Sequence, residues 1–82
     1  MVTKQDDATR QYGIVLLPST SHAIRAEKVL NAAGISCRLI PVPRHLSSDC
    51  GLALCFEWSD RGKVATALRA AQVNYERILL LN

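Results

Sequence analysis

Apolar positions change period along the chain, and each change marks an element. Residues 12–17, Tyr-Gly-Ile-Val-Leu-Leu, form a continuous apolar run stopped by Pro18, the pattern of a buried strand. Ser19-Thr20-Ser21 then offers N-capping side chains. Ala23, Ala26, Leu30 and Ala33 follow at helical spacing with Val29 beside them, while Arg25 and Lys28 face water. Gly34 ends this helix as a left-handed cap. Residues 35–42 alternate, Ile35, Cys37 and Leu39 on one face and Ser36, Arg38 and Ile40 on the other. Residues 51–58 repeat the pattern, with Leu52, Leu54 and Phe56 opposed to Ala53, Cys55 and Glu57. Ser59-Asp60 is the expected cap of a second helix whose apolar positions are Val64, Ala65, Leu68 and Ala71, and residues 74–81 close the chain as a fourth strand.

The order β-α-β-β-α-β, with right-handed crossovers, predicts an α+β ferredoxin-like sandwich: an antiparallel sheet with both helices on one face. The outer runs Ile14-Val15-Leu16-Leu17 and Ile78-Leu79-Leu80-Leu81 are apolar on both faces, although helices cover only one. An uncovered apolar sheet face marks a partner surface, and the expected partner is a second copy, sheet against sheet. Residues 1–10 are polar and read as a loose tail on a single domain spanning 11–82.

Composition narrows the function classes. Of the 82 residues 49% are apolar and only 5% aromatic, so the core must be built from aliphatic side chains and alanine. The net charge of +3 is scattered and lacks interleaved aromatics, which speaks against nucleic-acid binding. No run approaches the roughly 18 apolar residues of a membrane span, and the N-terminal stretch has no signal-peptide centre. Three cysteines, an odd number, argue against a secreted disulfide framework and for a cytoplasmic setting.

The chemistry concentrates in residues 41–51, Pro-Val-Pro-Arg-His-Leu-Ser-Ser-Asp-Cys-Gly. Cys50 sits at the end of a polar loop that carries Arg44 and His45, and Gly51 leaves its approach open. In the predicted topology this loop and the turn before the first helix lie at the same end of the sheet. A helix N-terminus and nearby cations favour a thiolate. Arg44, His45 and His22 would add to that field, and the hydroxyls of Ser19, Thr20, Ser47 and Ser48 could donate to a sulfur or selenium anion. Asp49 opposes it unless its carboxylate caps the loop's own N–H groups. Cys37 reads as a core residue, and Cys55 as one that only a partner could bury. No Cys-x-x-Cys and no His pair at i, i+4 occurs, and Cys50, His45 and His22 would lack a fourth ligand, so no metal site is expected. No cofactor is implied. The plain reading of the same loop is a long hairpin connection whose Ser and Asp side chains cap its own backbone.

These residues resemble a family. Tyr12-Gly13-Ile14, the run Ser19-Thr20-Ser21-His22-Ala23-Ile24-Arg25-Ala26-Glu27, Ala33-Gly34-Ile35, and above all Pro41-Val42-Pro43-Arg44 with Ser47-Ser48-Asp49-Cys50-Gly51 are similar to the selenium/sulfur carrier protein-like family, small bacterial domains of unknown function. The likeness covers residues 12–71. It implies a non-catalytic thiol carrier whose Cys50 takes sulfur or selenium from a donor protein, holds it as a persulfide or selenosulfide, and yields it to an acceptor. Arg44 would be the charge partner and His45 a proton shuttle. Two alternatives stand beside it: a non-enzymatic ferredoxin-like binding or regulatory module with an anion-binding loop, and an oligomerisation module acting through the open sheet face.

Overall fold

The structure is a computed structural model that describes residues 11–46 and 51–81. Strand β1 (Tyr12–Leu16) leads into helix α1 (Thr20–Ala32), strand β2 (Cys37–Pro41) and strand β3 (Leu52–Glu57). A 3-10 turn (Trp58–Asp60), helix α2 (Arg61–Ala70) and strand β4 (Arg77–Leu80) complete the chain. The four strands form one sheet in the order β2-β3-β1-β4, every neighbouring pair antiparallel. The α+β class and the order of elements follow the pattern of the sequence.

Both helices end in the same way. After α1 the Ile35 N–H donates to the Leu30 carbonyl (2.9 Å) and the Gly34 N–H to that of Asn31 (3.0 Å), with Gly34 at φ +79°. After α2 the Val73 N–H donates to Leu68 (2.9 Å) and Gln72 to Arg69 (3.0 Å), with Gln72 at φ +59°. These paired bonds satisfy helix-end carbonyls and need a left-handed residue at the turn. They keep Ile35 and Val73 out of the ladders; β2 starts at Cys37 rather than at 35, and β4 at Arg77 rather than at 74. The start of α2 also differs from expectation. Asp60 sits at φ −93°, ψ 7° and makes no capping hydrogen bond. An N-cap needs extended backbone to aim its side chain at the first turn. The carboxylate lies instead 4.0 Å from Lys63 Nζ.

Alternation sorts the sheet into two apolar layers. Val15, Leu17, Leu54 and Phe56 point to the helices and pack with Ala23, Ala26, Leu30, Val64 and Leu68. Ile14, Leu16, Ala53 and Cys55 form a second cluster on the other face, to which neither helix contributes. The sequence leaves that face open, and here the expectation is corrected. Ile14 and Ala53 are 0% exposed, Leu16 1% and Cys55 7%. Tyr12, Ile40, Val42, Leu46, Leu79 and Leu81 pack around them and are half-buried. Among the described residues the large exposed apolar side chains are Ile24 and Leu80, neither of them in this cluster.

One close approach ties β1 to the 3-10 turn. A Cβ built on Gly13 would stand 2.5 Å from Trp58 Cε3 and 2.8 Å from Phe56 Cζ, so only glycine lets the indole lie against this strand. The Trp58 and Phe56 rings stack at 6.2 Å between centroids, and the Arg61 guanidinium lies 5.1 Å from the indole centroid.

Candidate functional site at the loop end of the sheet

The register carries the chemistry-bearing segments to one end of the sheet. Leu16 pairs with Ala53 and Arg77, Ala53 with Ile40, and Leu52 with Pro41. The exits of β1 and β2 therefore share an end with the entries of β3 and β4. The bend at Pro18 and Ser19 lies there, as does the connection from Val42 to Gly51. The Val42 N–H donates to the Gly51 carbonyl (3.2 Å) and closes the neck of that connection. Ser47, Ser48 and Cys50 of the expected site, with Asp49, lie outside the described residues.

Two groups of expected site residues stand at this end. In the first, the Leu46 N–H donates to the Pro43 carbonyl (2.9 Å) and closes a tight turn with Arg44 and His45 at its exposed centre. Leu46 packs with the helix-free cluster and draws the turn toward that face. The alternation pattern stops before this residue, so only its apolar character within a polar loop could have signalled its anchoring role.

The second group opens α1, on the opposite face. Ser19 is extended (φ −155°, ψ 164°), and its hydroxyl accepts the His22 N–H at 3.3 Å, an N-cap bond. The same oxygen lies 2.6 Å from His22 Nδ1. When the neutral ring carries its proton on Nε2, the hydroxyl donates to Nδ1; when the ring is protonated, Nδ1–H donates to the hydroxyl. The pair can thus hold the imidazole through a change of charge. Its sequence signal is the spacing Ser-x-x-His at a helix start. Thr20 is exposed at the first helical position. The loop end therefore brings Arg44, His45, Ser19, Thr20 and His22 to one edge but divides them between the two faces of the sheet.

Cys37 and Cys55 are both free thiols, Cys37 half-buried and Cys55 buried. Cys37 belongs to the helix-facing layer, where its thiol lies 3.6 Å from Asn31 Oδ1 and 3.9 Å from the Glu27 carbonyl, acceptors for an S–H. Burial, and secondarily the charge of Glu27, pushes the Cys37 thiol up to about 11. Cys55 needs no partner to be buried: it is enclosed with Ile14, Leu16 and Ala53. The two thiols lie on opposite faces, Cys37 opposite Phe56 and Cys55 opposite Arg38, so they cannot bond to each other. Among the described residues no group of three or more His, Cys, Asp or Glu side chains is placed to hold a metal ion.

Residues 12–80 match the family model described as "Putative Se/S carrier protein-like". The chain belongs to this family. No curated protein and no solved structure matches it. The carrier-like family match extends from the first residue of β1 to the last of β4, so it covers the whole sheet and both helices. No helix among the described residues is long and apolar enough to cross a membrane.

Proposed function

We propose that this chain carries reduced sulfur or selenium on Cys50 and passes it between a donor and an acceptor protein. The family match carries the reading. It is supported by the chemistry of the other two cysteines, one held protonated beside oxygen acceptors and one enclosed in an apolar layer, which leaves Cys50 as the thiol available for exchange. In loading, the Cys50 thiolate attacks the terminal sulfur of a donor persulfide. The new S–S bond forms as the donor's own S–S bond breaks, and the donor cysteine leaves as a thiolate. A donor selenosulfide would deliver its terminal selenium in the same way, with no change in electron count. Unloading repeats the exchange toward the acceptor.

Arg44 and His45, at the tip of the Pro43 turn, supply positive charge and a proton donor to the terminal anion, with Ser47 and Ser48 beside them in sequence. Ser19, Thr20 and His22 bring a helix N-terminus to the same end. The ferredoxin-like name for the fold is supported by the sheet order and by both helices packing on one face. Self-association, if through the sheet, rests on the half-buried rim of Ile40, Val42, Leu79 and Leu81. A cytoplasmic setting belongs to the same reading, because persulfide transfer needs reduced thiols.

The test is intact-mass analysis after incubation with a low-molecular-weight persulfide, and separately with glutathione-bound selenium. Wild type gains the mass of one sulfur or selenium atom, and Cys50→Ser gains none. Loading that survives Cys50→Ser, or no loading of a wild type whose Cys50 alkylates readily, overturns the proposal.

A further inference from the structure

We propose that the cavity at the end of the sheet remote from the Pro43 turn holds a small free α-amino acid, its carboxylate on Arg38 and its ammonium on Glu57. The cavity has a volume of about 250 Å³, and Tyr12, Ser36, Arg38, Cys55 and Glu57 line it. Arg38 pairs with Cys55 and Tyr12 with Glu57 across the strands, so these four side chains share the helix-free face. Cys37 and Phe56 also border the cavity but belong to the helix-facing layer. The volume falls just below the roughly 300–1,000 Å³ of sites for drug-sized ligands, and polar groups converge on it, which suits a small polar ligand.

Charge selects the ligand. Arg38 and Glu57 are the charged residues among the described ones that line the cavity, one of each sign. They are not cross-strand partners: Arg38 stands opposite Cys55, and Glu57 lies two residues further along β3, a diagonal of about 7–8 Å between Cα atoms. Among the described residues no hydrogen bond or ion pair engages the Arg38 guanidinium, whereas Glu57 and Tyr12 each have interactions of their own within the chain. A simple anion would meet the Glu57 carboxylate and a simple amine the Arg38 guanidinium, each an unfavourable pairing of like charges. An α-amino acid carries both charges on one carbon. Its carboxylate accepts from Arg38, and its ammonium donates to Glu57. The exposed Ser36 hydroxyl adds a donor at the rim, and the ligand's side chain is left over the buried Cys55, which suits a short apolar group.

The probe is L-alanine, titrated into the full chain and followed by amide chemical shifts, with propionate and ethylamine as fragments that each lack one charge. Saturable shifts at residues 36–38 and 55–57 are expected, and both fragments bind at least about tenfold more weakly. Arg38→Met removes the gain from the carboxylate, so alanine and ethylamine then bind alike. Glu57→Gln removes the gain from the ammonium, so alanine and propionate bind alike. A merely structural role for either residue would weaken all three ligands together. Arg38 is exposed, so its variant should melt as wild type does, and it suffices by itself if Glu57→Gln disturbs the fold. Absence of saturable shifts, shifts confined to other residues, propionate as tight as alanine, or affinity indifferent to Arg38→Met overturns the proposal.

Discussion

The assignment of chemistry to one cysteine turns on how silent Cys37 is, and that silence has a calculable size. Take a variant with Cys50→Ser and Cys55→Ala, so that Cys37 is the remaining thiol. With its pKa raised from 9.0 to about 11, its thiolate population at pH 8 falls roughly 100-fold below that of an ordinary cysteine. Thiolates of higher pKa are stronger nucleophiles, with a Brønsted slope of about 0.4–0.5, which returns roughly six- to tenfold. The net expectation with an aromatic disulfide reagent is therefore a rate about 10- to 16-fold below that of an unstructured cysteine peptide. The pH–rate profile should climb through pH 9 and level only toward 11. Adding Glu27→Gln removes the smaller of the two causes, so the rate at pH 8 should rise yet stay below the peptide's, because burial persists. A profile that levels near pH 9, or a rate equal to the peptide's at pH 8, would show that the thiol is neither desolvated nor held by Asn31 and Glu27. Cys37 would then have to be readmitted as a site for cargo.

Other outcomes follow from the same geometry. The raised Cys37 pKa favours the neutral thiol of the folded state, so its contribution is complete below about pH 9 and declines as pH rises toward 11; melting curves of wild type and Cys37→Ala should converge or cross over that window. Gly13→Ala forces the indole of Trp58 aside and should cost about 1–3 kcal/mol, a melting-temperature drop of roughly 4–24 °C, with part of the loss recovered in the double variant with Trp58→Leu. Equal effects of Gly13→Ala in both backgrounds would refute the clash. Ser19→Ala removes the cap of α1 and should cost about 1 kcal/mol by thermal denaturation. Gln72→Gly relieves a left-handed backbone and should raise stability by about 0.5–1 kcal/mol; a loss would mean that the Gln side chain contributes more than the strain.

Much of the frame was legible because its signals are local. Alternation placed Leu52, Leu54 and Phe56 under the helices, helical spacing placed Ala23, Ala26 and Leu30 in the core, and Gly34 announced its own turn. Gln72 does the same service without a glycine's signature, so that turn is not legible in the sequence. Face coverage was not legible. That Leu46 leaves a polar loop to pack against Ile14 and Ala53 depends on long-range placement, which no period records. At the candidate site, topology alone joined the loop end to the start of α1. It could not say that the Pro43 turn leans to one face while Ser19 and His22 stand on the other.

The hydrogen bond from Val42 to Gly51 separates what the chain must keep from what it can vary. Because the ladder resumes immediately at Leu52, the eight residues between these two leave from a neck that the sheet itself closes, and Leu46 among them is tied back to the helix-free cluster. Doubling the length of such a loop raises its closure entropy by only about 0.6 kcal/mol, far less than a single misplaced core side chain. Changes of length or charge in the segment beyond Leu46 should therefore leave the melting temperature of the frame nearly the same. Loop length and frame stability thus rest on different residues, with Leu46 on the side of the frame.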